Sequence, residues 1–237
     1  MVNFIKKDRY SFDDLRQIVK ILRSKDGCPW DREQTHTSIR RNLLEEAYEA
    51  CEGIDRDDPV LMQEELGDVL LQVVFHTDME QDAGRFTMED VTDTVCKKLV
   101  YRHPHVFSDI KAEDWDYEEI KKQEKGAKTQ TQLMEGVAKS LPALIRAEKV
   151  QEKAQKGGCK WQSRTEAVTA AQTALQRFAE TGSSDALGQA LFAIVGAGLE
   201  DDCETALQRA CDAFIRDYDL LEQKKDVPQT PARLLNV

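Results

Sequence analysis

The segment Val60-Leu-Met-Gln-Glu-Glu65-Leu-Gly-Asp-Val-Leu70-Leu-Gln-Val-Val-Phe75 decides the fold. Its apolar residues Leu61, Met62, Leu66, Val69, Leu70, Leu71, Val73, Val74 and Phe75 point in nearly every direction about a 3.6-residue axis. That is the pattern of a buried helix, not of an alternating strand. Two acids, Glu65 and Asp68, are set within it. They stand three residues apart, so they share a face, and at 100° per residue that face also holds Leu61, Phe75 and Met79. Glu65 and Asp68 are therefore expected to be at least partly buried.

Working outward, the same spacing recurs along the whole chain. Ser11 with Asp14 reads as an N-cap opening a helix to about 24. A loop with Gly27 and Pro29 follows. The next predicted helix, 38–54, carries the stripe Ile39, Leu43, Ala47, Ala50 and Ile54, and Glu46 borders it. After the helix at 60–81, Gly84 breaks the chain and Thr87 caps a helix to Arg102. The turn His103-Pro104-His105 ends that helix. Further helices are predicted at 114–124, 141–156, 165–180, 185–199 and 202–224. The polar stretch 121–135 reads as a linker and the tail 226–237 as irregular. With only 6 Pro and 12 Gly among 237 residues, and few alternating patterns, the expected class is all-α, a helical bundle.

Composition narrows the function. A net charge of −11 disfavours nucleic acid, whose binding rests on clustered Lys and Arg. No apolar run approaches the ~20 residues needed to span a bilayer, and the first residues carry no signal-like apolar segment. No membrane association and a cytoplasmic location are expected. The six cysteines form no CxxC pair, and Cys51 and Cys96 are expected to be small core residues.

The acids carry the chemistry. Glu45, Glu46 and Glu49 read EExxE, and Glu64, Glu65 and Asp68 read EExxD. On two adjacent antiparallel helices, Glu46, Glu49, Glu65 and Asp68 would meet. Two carboxylates 4 Å apart repel by roughly 4 kcal/mol at an effective dielectric of 20. Such a cluster must protonate, pair with cations or bind metal, and all-oxygen donors suit Mg²⁺, with Mn²⁺ as a substitute. A di-iron site is disfavoured: it needs Glu-x-x-His from two helices, and only Glu33 with His36 matches. Gly67 costs about 1 kcal/mol mid-helix and is expected where a neighbouring helix or a ligand approaches closely.

Four ordered blocks now stand together: Lys25-Asp-Gly-Cys-Pro-Trp-Asp-Arg-Glu-Gln34, Leu44-Glu-Glu-Ala-Tyr-Glu49, Glu64 to His76, and Lys98-Leu-Val-Tyr-Arg-His-Pro-His-Val-Phe107. Together they closely resemble the MazG family, and the likeness extends over about residues 10–155. The resemblance implies an all-α nucleoside triphosphate pyrophosphohydrolase that uses Mg²⁺ and forms a homodimer. It implies Glu46, Glu49, Glu65 and Asp68 as metal ligands, with Glu49 also able to take a proton from water and Glu45 as a supporting carboxylate. Lys98 and Arg102, one turn apart, would face the phosphates. Trp30 would stack on the base or anchor its loop. His103 and His105 would fix the turn after Arg102. A rival from another class is a non-catalytic protein that binds nucleotide and metal for regulation or partner recognition.

The second half departs from the pattern. Gly158-Cys-Lys-Trp161 echoes Gly27-Cys-Pro-Trp30, and Leu187-Gly-Gln-Ala-Leu191 echoes Leu66-Gly-Asp-Val-Leu70. Yet the first acidic block falls on Thr173, Ala174 and Arg177, and the second on Asp185, Ala186 and Gln189. Ala213 and Asp217 stand where Lys98 and Arg102 would. Two tandem units are expected, a catalytic one at 1–125 and a degenerate one at 126–237 kept for structure or dimerisation.

Overall fold

A computed structural model describes residues 4–109, 111, 115–124, 126, 129–198, 202–223 and 230–231, so most of the tail at 226–237 lies outside the described residues. Among them every regular element is helical. The chain divides between Tyr117 and Glu118 into two compact units. No helix is long and apolar enough to cross a membrane.

The first unit holds α1 (Phe12–Arg23), α2 (Pro29–Glu33), α3 (Arg40–Asp55), α4 (Pro59–Asp82), α5 (Met88–Arg102) and α6 (Pro104–Phe107). Local chemistry sets the starts. Ser11 Oγ accepts from the Asp14 amide, and the Asp14 carboxylate accepts from the Ser11 amide at 2.8 Å. Thr87 and Asp90 repeat this reciprocal cap on α5. Pro opens α2, α4 and α6, where its missing N–H costs no helical bond. The core gathers Val19, Ile39, Val74, Phe75, Met79 and Met88, with Leu15, Leu71 and Val91 packed against it. Arg23 braces α1 on α4: it pairs with Asp78, reaches Asp82 at 3.0 Å and lies 5.5 Å from the Phe75 ring centroid.

The second unit holds most of α7 (Tyr117–Glu124), then α8 (Gln130–Glu135), α9 (Ala143–Lys156), α10 (Arg164–Thr181), α11 (Ser184–Ala197) and α12 (Cys203–Gln223). Helices α10 and α11 pair most extensively, with α9 against α11. Their seam is lined by buried small residues, Ala167, Ala171, Ala174, Ala186, Ala190 and Ala193, which let the backbones approach.

Three expectations need correction. The stretch 121–135 is not one linker: α7 runs to Glu124, and Thr129 with Gln132 forms a reciprocal cap that starts α8. Helix α4 is buried mainly over its C-terminal half, Gln72 to Glu80, whereas Leu66 is 51% and Leu70 40% exposed. Cys51 and Cys96 are exposed, each among exposed apolar neighbours on its helix, Tyr48 and Ile54 on α3 and Val95, Leu99 and Val100 on α5.

Candidate functional site

The site is built on one helical hairpin. Helices α3 and α4 are joined by only Arg56, Asp57 and Asp58. The Asp58 carboxylate caps α4 by accepting from the Val60 and Leu61 amides at 3.0 and 3.1 Å. The helices touch backbone to backbone at Gly53, where a Cβ would stand 2.8 Å from the Met62 nitrogen. That contact sets the register, and three acids follow from it. One carboxylate oxygen from each of Glu46, Glu49 and Glu65 lies within 4.8 Å of the others.

Their environments differ. Glu65 is 8% exposed, Glu46 and Asp68 are half-buried, and Glu49 is exposed. Burial, then the charges of Asp68, Glu49 and Glu65, pushes the Glu46 carboxyl above its ordinary range. Burial, then Glu49, Glu64 and Asp68, does the same to Glu65. Among the described residues, no Lys or Arg stands within ion-pair distance of these four acids. Oxygen-only donors, converging and uncompensated, fit a hard divalent cation.

The other candidates are not members of this trio. Glu45 is turned outward, where it accepts from Arg41 Nε at 2.6 Å. Trp30 is 59% exposed on α2. Lys98 is half-buried on α5. Arg102 Nη1 donates to Tyr117 Oη at 3.2 Å, and its carbonyl accepts from Trp115 Nε1 at 2.9 Å. His103 and His105 belong to that aromatic turn, with rings 6.0 and 4.3 Å from Trp115. At Gly67 a Cβ would meet nothing within 4 Å, so no helix among the described residues accounts for that glycine.

One network escapes sequence reasoning. The Nδ1 atoms of His36 and His76 lie 2.8 Å apart, and His36 Nε2 reaches Glu80 Oε1 at 2.5 Å. Arg85 closes the chain with a two-pronged grip on Glu80, one bond at 2.6 Å. The Arg85 guanidinium is the main reason the Glu80 carboxyl falls to about 2. This network ties the segment between α2 and α3 to α4. Only the adjacent charges of Glu80 and Arg85 hinted at it, because His36 and His76 are forty positions apart.

Comparison with known proteins now adds a family. Residues 34–107 match the MazG nucleotide pyrophosphohydrolase domain. The chain is 39% identical over 219 residues to the nucleoside triphosphate pyrophosphohydrolase/pyrophosphatase MazG of Thermotoga maritima, covering 90% of this chain and 86% of that one. It is 36% identical over 230 residues to the nucleoside triphosphate pyrophosphohydrolase of Escherichia coli K12, covering 89% and 87%. With the enzyme of that name from Mycolicibacterium smegmatis it shares 35% over 189 residues, 76% of this chain and 56% of that one. An all-helical chain with a convergent acid cluster on one hairpin, alike over nearly its whole length to two such proteins, belongs to the MazG family.

Proposed function

We propose that this chain hydrolyses nucleoside triphosphates to nucleoside monophosphates and pyrophosphate, with Mg²⁺ held in the first unit. The observation that carries the reading is the convergence of Glu46, Glu49 and Glu65 in a member of this family. Glu46, Glu49, Glu65 and Asp68 would hold the ion, and Mn²⁺ would substitute. A divalent ion bound there supplies a water that is nucleophilic near neutral pH and offsets the charge of the triphosphate.

The chain's own residues would do the rest. Glu49, the exposed member of the trio, takes the proton of the attacking water at a carboxylate oxygen. Glu45, held by Arg41, supports the negative field from outside the trio. Lys98 and Arg102 stabilise charge on the departing pyrophosphate. Tyr117 and Trp115 orient Arg102 by its guanidinium and its carbonyl. Trp30, exposed on its short helix, offers a face to the base.

Two further parts of the reading concern assembly. Leu44, Tyr48, Leu66, Leu70, Val95 and Leu99 form exposed apolar faces on α3, α4 and α5, which supports a homodimer that covers them. In the second half, the pair α10–α11 with α9 against α11 parallels α3–α4 with α1 against α4. Residues 126–237 thus read as a second MazG-like unit relieved of metal chemistry.

Product analysis tests the function. The protein is incubated with a panel of nucleoside triphosphates and Mg²⁺, and pyrophosphate is separated from orthophosphate. Pyrophosphate with monophosphate is expected. Mg²⁺-dependent triphosphate binding with no product would leave a nucleotide sensor instead.

A further inference from the structure

The cleft between α10 and α11 has a volume of about 620 Å³, in the range of small-molecule sites. Its polar wall stands where the first unit has its acids. Arg177 takes the sequence place of Glu49 and Gln189 that of Asp68. In the structure these two meet directly: Arg177 Nη2 donates to Gln189 Oε1. A fixed guanidinium thus occupies the cleft in place of a repelling pair of carboxylates, and Gln189, an acceptor here, orients it without neutralising it.

The apolar wall is also built. Trp161 lines the same cleft. Its Nε1 donates at 2.7 Å to Gln151 Oε1, and Gln151 Nε2 donates at 2.8 Å to the Phe192 carbonyl of α11. Gln151 is 5% exposed, so a buried amide is committed to holding this indole. Gly196 completes the seat, since a Cβ there would stand 2.0 Å from Trp161 Nε1 and 2.4 Å from Gln151 Oε1. The bracing fixes the plane of the indole against the cleft. Phe192, 41% exposed, adds a second ring to the wall.

We propose that this cleft binds a nucleoside monophosphate without metal, the ring against Trp161 and the phosphate at Arg177. Guanidinium suits phosphate by its planar fork of donors, and a braced indole suits a planar base. Asp185, at the start of α11, also lines the cleft. One carboxylate beside one guanidinium favours a single phosphate over a triphosphate, and it accepts from base or sugar hydroxyl donors. The inference goes beyond hydrolysis in the first unit and does not require it, although the monophosphate is the product proposed there.

The test is calorimetric titration of the full chain in EDTA with AMP, GMP, CMP and UMP, and with ATP for comparison. At least one monophosphate is expected to bind one site per chain, more tightly than ATP. Binding should persist in Glu65→Gln. It should weaken roughly tenfold or more in Arg177→Ala, an exposed position whose loss leaves the fold intact, and recover partly in Arg177→Lys. No binding by any monophosphate at millimolar concentration overturns the proposal. So does binding that needs Mg²⁺, that is indifferent to Arg177→Ala, or that disappears in Glu65→Gln. Pyrophosphate release with Mg²⁺ is measured on the same samples. A chain that cleaves triphosphates but binds nothing in EDTA loses only this inference, and one that binds but does not cleave loses only the hydrolase.

Discussion

His36 and His76 face each other through their Nδ1 atoms at 2.8 Å, so one proton lies between the two rings and there is no room for two. His36 Nε2 also stands 2.5 Å from Glu80 Oε1. In the neutral pair one Nδ1–H donates and the other Nδ1 accepts, as the tautomers dictate. A further proton goes to a ring Nε2, and His76 Nε2 is buried without a hydrogen-bond partner among the described residues. Burial first, then the facing His36, already lowers the His76 pKa below the ordinary 6.5, against the opposing pull of Glu80.

The sign of the pH effect follows. His76 takes up a proton less readily folded than unfolded, so folding is favoured above pH 6.5 and the advantage is lost as pH falls below it. Glu80, lowered to about 2, keeps its contribution until the pH drops below its ordinary 4.5. Thermal melts from pH 8 to 5 should therefore show, relative to His36→Ala, a fall in Tm beginning near 6.5. In His36→Ala, His76 Nδ1 loses its partner. That costs about 1 kcal/mol or more, roughly 2–4 °C in Tm, and flattens the pH dependence. An unchanged profile in the variant would refute the shared-proton account.

The acid trio predicts the opposite slope. Glu46 and Glu65 are raised, so the folded state holds their protons more tightly than the unfolded chain does. Stability without metal should decline as pH rises above 4.5 and through the raised values. Mg²⁺ should restore it at pH 8 and do little at pH 5. The stabilisation reaches about 2.7 kcal/mol at a hundredfold excess over Kd. Differential scanning fluorimetry in EDTA and in Mg²⁺ reads both arms.

Glu65→Gln separates stability from turnover. It removes a buried charge from a repelling cluster, so the EDTA form should melt higher than wild type. Pyrophosphate release should fall roughly 10²-fold or more, as for loss of a charge-stabilising group. A variant that is less stable in EDTA and still active would place the working charge elsewhere.

Gly67→Ala asks what the open space is for. Nothing among the described residues lies within 4 Å of the added carbon, and a mid-helix alanine gains about 0.5–1 kcal/mol over glycine. The variant should be more stable in EDTA. A raised KM, or a dimer that dissociates on size exclusion, would identify what approaches there. Unchanged kinetics and association would leave the glycine without a role.

Local signals made much of the fold legible. Ser11 with Asp14 and Thr87 with Asp90 act within a few residues, and α1 and α5 begin where expected, whereas Pro104, read as a turn, opens the short helix α6. The face shared by Glu65 and Asp68 followed from spacing alone. What stayed hidden depends on distance or on cover. His36 and His76 are linked across forty positions by a turn geometry no periodicity records. Cys51, Leu66 and Leu70 lie on apolar faces, and periodicity identifies such faces without saying whether the same chain covers them. At Thr129 the Lys, Gln and Thr composition masked a Thr-x-x-Gln cap, so α8 read as linker. Arg102 lay on the expected helix, but its partner Tyr117 is fifteen residues on.

The three-residue joint between α3 and α4 has a kinetic consequence. Glu46, Glu49 and Glu65 belong to one hairpin, so closing that hairpin during folding brings the acids together at once. The repulsion is then met as the hairpin closes and not only in the finished protein. A divalent cation should accordingly speed refolding, whereas an ion engaged only after the barrier would slow unfolding alone. Stopped-flow refolding with and without Mg²⁺ would tell whether the cation shapes the path to this fold or merely rewards its completion.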